Sequence, residues 1–140
     1  MNKMLVPVAL VSTLLFSACS GGSSTEDQKK ELETEVLTVH DEAMNKMDEI
    51  SKLRRSLRTL KEKKTDTAEQ AILERDIEGL ALADEVMMNW MREYTAPDSL
   101  ENQAALHYLN QELVKIERVK TIMDSTLVAA RKTLAQHDTK

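Results

Sequence analysis

The 140 residues carry a formal net charge of −5, one cysteine and only 3% aromatic side chains. An acidic balance argues against a nucleic-acid partner, which asks for a net basic domain, and a lone thiol excludes an internal disulfide. With so few aromatics and no β-branched alternation there is little from which to build strands, so the fold must come from packed helices.

The first eighteen residues have the three-part form of a secretory signal. Lys3 makes the start positive, Leu5 to Phe16 is an apolar run, and Ser17 and Ala18 are the small residues before a cut. The run is shorter than the ~20 residues a membrane-spanning helix needs, and Pro7 and Ser12 interrupt it. Phe16-Ser17-Ala18-Cys19 resembles the lipobox of bacterial lipoproteins, with Phe16 where Leu is commoner. That resemblance implies that residues 1–18 are a removed signal peptide and that Cys19 is the lipid attachment site. Each buried methylene contributes ~0.8 kcal/mol, so several acyl chains on one residue anchor it firmly. Cleavage leaves 122 residues with net charge −6, because Lys3 is the one charge removed. That is a single domain large enough for a core.

Residues 19–25 read as the lipidated cysteine and a flexible Ser/Gly linker. Ser20 stands where an Asp would retain an enteric lipoprotein in the inner membrane, so the sorting rule points to the outer membrane. No acidic cluster follows Cys19 directly, which favours the periplasmic face.

Residues 26–64 read as one long helix. Thr25-x-x-Gln28 forms a candidate capping box. Val36, Val39, Ala43, Met47, Ile50, Leu53, Leu57 and Leu60 recur as a heptad seam. Acidic residues crowd its start and basic ones its end, as the helix dipole favours. A second helix is expected over 67–95, opened by Thr67-x-x-Gln70, with Leu73, Ile77, Leu80, Ala83, Met87, Trp90, Met91 and Tyr94 on its apolar face. Gly79 inside it costs ~1 kcal/mol against Ala and suggests close approach of another helix. Pro97 stops this helix. A third is expected over 98–136, opened by Asp98-x-x-Glu101, with a seam of Leu106, Leu109, Leu113, Ile116, Met123, Leu127, Ala130 and Leu134 that Lys120 interrupts. Residues 137–140 should fray. Short connections make neighbours antiparallel. The expected fold is all-α: an up-down-up three-helix bundle with coiled-coil-like seams, preceded by a lipoprotein signal peptide. In that register facing positions on helices one and two sum to about 131, and on helices two and three to about 192. The start of helix one and the end of helix three then overhang at opposite ends.

His40-Asp41-Glu42-Ala43-Met44-Asn45-Lys46-Met47 and Met87-Met88-Asn89-Trp90-Met91 are unusual strings. With the residues around them they resemble a group of small helical lipoproteins from Bacteroides-like bacteria, often labelled "viral A-type inclusion protein". The label reflects coiled-coil composition. The resemblance implies a lipidated helical bundle with no assigned activity.

No catalytic constellation is present: no phosphate loop, nucleophile elbow, His-Glu-x-x-His or cysteine pair. The chain is expected to be non-enzymatic and to need no cofactor. Its expected partners are the membrane, through the lipid, and a protein the sequence does not identify; a homo-oligomer is a further option. Asp84 falls near the apolar face of helix two and is expected to pair with Lys or Arg. The basic run from Lys52 to Lys64 reads as a solvated helix end, with an anionic lipid or glycan as the alternative. Two other functions fit single features. Lys140 is a C-terminal lysine like that by which murein lipoprotein is linked to peptidoglycan. His40, Met44 and Met47 share a helix face, and the register puts Met44 level with Met87 and His40 level with Met91. Imidazole and thioether suit Cu(I). The expectation is nevertheless that no metal binds and that these methionines fill an aromatic-poor core. His107 should face outward, and His137 should lie in the tail.

Overall fold

The computed structural model describes residues 24–138. It contains four helices: α1 Thr25–Met44, α2 Met47–Glu62, α3 Thr67–Glu93 and α4 Asn102–Asp138. No strand occurs among the described residues. The arms α1–α2, α3 and α4 form the expected up-down-up bundle. α1 lies against α4, α2 against α3 and α4, and α3 against α4.

The caps of the first two helices fall one residue earlier than the sequence suggested, at Ser24 and Asp66. The Ser24 hydroxyl accepts the Asp27 N–H at 3.1 Å, and the Asp27 carboxylate accepts the Ser24 N–H at 3.2 Å. This is a complete capping box. Asp66, not Thr67, caps α3, its carboxylate taking the Glu69 N–H at 2.9 Å.

The long first helix is broken once. Asn45 and Lys46 stay in the right-handed region, but the Lys46 N–H bonds to the Ala43 carbonyl at 3.0 Å, a tightened turn. Such a step rotates the chain by about 120° per residue rather than about 100°. A straight α-helix lags a seven-residue repeat by about 20° per heptad. One tight turn offsets that lag, so Val36, Ala43, Ile50 and Leu57, each seven apart, are all buried. Fully burying each large aliphatic side chain contributes ~1.5–3 kcal/mol.

The second connection departs further from expectation. α3 ends at Glu93, and Tyr94 is extended. Pro97 is buried, and its carbonyl accepts the Leu100 N–H at 3.2 Å. α4 therefore starts at Asn102 rather than 98, with the Glu101 carbonyl taking the Ala105 N–H at 2.8 Å. Helices α1–α2 and α3 keep roughly the expected register, with His40 against Trp90 and Lys61 paired to Glu74. The α3–α4 register does not hold. Gly79 meets Thr126, where the expected register puts a residue near 113 opposite it, a shift of about three and a half turns. The long connection carries the chain past the end of α3 before α4 begins. As a result α4 runs beside α1–α2 for almost its whole length. Glu42 pairs with Lys120, Lys46 with Asp124 and Glu49 with Arg131. The expected overhang of the third helix does not form. Instead the starts of α1 and α4 lie together beyond the end of α3. The helix also continues through His137 to Asp138, where fraying was expected.

The core face of α4 is rotated from the expected seam. Ala105, Leu109, Glu112, Ile116, Val119, Met123, Leu127, Ala130 and Thr133 are buried. Leu106, Leu113 and Leu134 are half-buried, and Lys120 sits at the rim. α4 faces two arms at once, so small and partnered polar side chains occupy its innermost line. Gly79 gives the close approach that its position suggested: a Cβ there would lie 3.3 Å from Thr126 Cγ2.

Candidate functional site

Trp90 lies seven residues after Ala83 and fourteen after Asp76, on one inward line of α3. It ends that line beside α1, where His40 packs on it with ring centroids 5.5 Å apart. Tyr94 stacks on Trp90 at 4.9 Å, and Tyr108 of α4 follows at 6.3 Å. The three aromatic residues after Phe16 and one histidine thus form a single stack across three arms. The Tyr108 hydroxyl accepts the Thr95 N–H at 3.0 Å, tying the connection to α4. Trp90 Nε1 and the Tyr94 hydroxyl are buried with no hydrogen-bond partner. Burial pushes the Tyr94 phenol up to about 12, helped by Glu33, Tyr108, Glu112 and Asp98.

A shallow groove of about 200 Å³ opens at this stack, lined by Leu37, His40, Trp90, Met91 and Tyr94. His40 Nδ1 lies 2.9 Å from an Asp41 carboxylate oxygen. Met91 is 40% exposed.

The structure brings together only part of the expected His/Met layer. His40 and Met91 share the groove. Met44 and Met47 flank the tightened turn, half-buried against the core cluster, and Met87 is fully buried within it. Among the described residues no group of three or more His, Cys, Asp or Glu side chains could hold a metal ion. Cys19, the expected signal peptide over residues 1–18, and Lys140 lie outside the described residues. His107 is exposed beside Gln111. His137 is half-buried, and its Nδ1 has no partner.

Asp84 is half-buried and pairs with Arg54 at 3.4 Å. Much of the basic run is engaged within the chain: Lys52 with Asp48, Lys61 with Glu74 and Lys64 with Glu69. Two buried carboxylates escaped the sequence reading. Asp76 accepts two bonds from Arg75, at 3.1 and 3.0 Å, and the Thr133 hydroxyl. Glu112 accepts Lys115 Nζ at 2.7 Å. Counting back by sevens from Trp90, and on by seven from Ala105, would have placed both on inward lines.

No described helix is long and apolar enough to cross a membrane. No family model, curated protein or solved structure matches the chain.

Proposed function

We propose that this chain is a lipid-anchored, non-enzymatic helical bundle of a bacterial envelope. It sits at the periplasmic face of the outer membrane and serves as an interaction or structural module. The observation that carries the reading is the closeness of the lipobox to the fold. The capping box of α1 begins at Ser24, five residues after Cys19. Five residues span at most about 17 Å, so a lipid on Cys19 would hold the start of α1 close to the bilayer. A 37-residue helix such as α4 is about 55 Å long. The far end of the bundle, where α2 turns into α3, would then project well into the periplasm to meet a protein partner or a second copy. The resemblance to small lipoproteins of Bacteroides-like bacteria fits the same reading.

The test compares wild type with Cys19→Ser in the native envelope, using a labelled fatty acid and detergent-phase partitioning. Wild type should take up label and enter the detergent phase; the variant should do neither. Equal labelling of both would overturn the anchor. Mild crosslinking of the anchored protein should then yield one dominant adduct, and its mass separates a second copy from a different partner.

A further inference from the structure

The groove at His40 separates one methionine from the rest. Met87 and Met123 are fully buried, as core filler should be, and Met44 and Met47 pack against the core. Met88 and Met91 are both exposed, at 41% and 40%, but of the two only Met91 lines the groove with His40, the histidine that touches the aromatic stack. We propose that His40 and Met91 bind one Cu(I) ion at this groove, His40 through Nε2 and Met91 through its thioether.

Four observations carry this. First, the Asp41 carboxylate is placed to accept a proton from His40 Nδ1 at 2.9 Å. In the neutral ring that bond leaves the Nε2 lone pair free, and a carboxylate behind a ligating imidazole fixes its tautomer and orientation. Second, the pairing of thioether and imidazole selects a soft ion. Thioether sulfur favours Cu(I), whereas Ca²⁺ and Mg²⁺ take oxygen ligands. Zn²⁺ asks for three or four His, Cys or carboxylate ligands, and no such group occurs among the described residues. Third, the groove measures about 200 Å³, below the ~300 Å³ at which pockets for organic ligands begin. Fourth, the Trp90 ring forms one wall of the groove, 5.5 Å from that of His40, so it shields the imidazole on that side from water. The two donors come from different arms, so the bound ion would clip α1 to α3. This site does not depend on the anchor, and its test does not either.

The full chain carrying Cys19→Ser, which removes a competing thiol, is titrated anaerobically with Cu(I) against a chromophoric Cu(I) chelator. Trp90 is the single tryptophan, so its fluorescence gives a second readout local to the groove. One equivalent of Cu(I) should bind and quench Trp90. His40→Ala and Met91→Leu should each weaken binding at least tenfold, while Met44→Leu, Met47→Leu and Met87→Leu should stay within twofold of the parent. Met91→Leu keeps the volume of an exposed side chain, and circular dichroism of each variant checks the fold. The proposal is overturned by unsaturable quenching, by unchanged affinity in Met91→Leu, by an equal loss in Met87→Leu, or by Zn(II) binding as tightly as Cu(I).

Discussion

Asp76 on α3 receives the hydroxyl of Thr133 on α4 at a point where both side chains are almost fully buried. Arg75 covers the other carboxylate oxygen from the solvent side, its own side chain 70% exposed. The bond joins α3 to α4 where the apolar seam of each is interrupted. A charged group in this position is tolerated because each oxygen has a donor.

Thr133→Val keeps the shape and removes one donor from a buried carboxylate. The expected loss is about 2 kcal/mol. Asp76→Ala should cost a similar amount by stranding the Thr133 hydroxyl. The double variant should lose clearly less than the two single losses added together, because each removes the other's orphan. Chemical denaturation of all four proteins checks this. Strict additivity would show that the two side chains do not act as a pair.

Gly79→Ala sets two effects against each other. Alanine gains about 1 kcal/mol of helix propensity. Its methyl would sit 3.3 Å from Thr126 Cγ2, closer than relaxed packing allows. The Thr126 hydroxyl bonds to the Met123 carbonyl at 3.0 Å, which holds that methyl in place. The single variant should therefore be less stable than the parent. Adding Thr126→Ser keeps the hydroxyl and deletes the methyl, and the double variant should be more stable than Thr126→Ser alone by about 1 kcal/mol. Thermal melts read both. A full gain from Gly79→Ala alone would mean that α4 yields.

Acid should weaken the bundle through carboxylates whose pKa values are lowered on folding. Hydrogen bonds from Lys120 and Arg131 hold Glu42 and Glu49 below the ordinary value of 4.5, and Lys52 does the same for Asp48. A lowered folded pKa means that the unfolded chain binds more protons near pH 4. Stability from these groups is thus present above their unfolded values and lost as pH falls through the folded ones. Melting temperature should stay level from about pH 7 to about pH 5 and decline below that. Combining Glu42→Gln with Glu49→Gln should make the decline shallower, and added salt should do so as well, since these pairs face solvent. An equally steep decline in the double variant would place the acid sensitivity elsewhere.

The periodicity of the apolar residues contained the three helical arms, though not the break between α1 and α2, because a helix seam is a local property of side-chain spacing. The heptad of Val36, Ala43, Ile50 and Leu57 was readable for that reason, and so was the close approach at Gly79. What the sequence concealed was relational. Pro97 marks the end of α3, but nothing in Tyr94-Thr95-Ala96-Pro97 states how far the chain travels before α4 resumes. That distance moved the α3–α4 register by several turns. Asp76 and Glu112 were hidden because a charge on an inward line looks like solvent until its partner is known, and Thr133 lies 57 residues from Asp76. At the groove, His40 and Met91 were legible as level with each other. The division between filler methionines and the one that lines the groove was not, because it depends on which side of α3 the α1–α2 arm covers.

The parallel course of α1 and α4 bears on how the bundle would carry mechanical load. Pulled between Ser24 and the end of α4, the two helices are gripped at opposite ends while lying side by side in the same direction. The force then runs along their shared seam and must slide all of it at once, ion pairs from Glu42 to Arg131 included. Pulled instead between Ser24 and the Tyr94–Glu101 connection, both grips lie at the same end, and α1 peels away one turn at a time. The same fold would therefore resist tension strongly along its length and yield readily across the end where α1 and α4 begin.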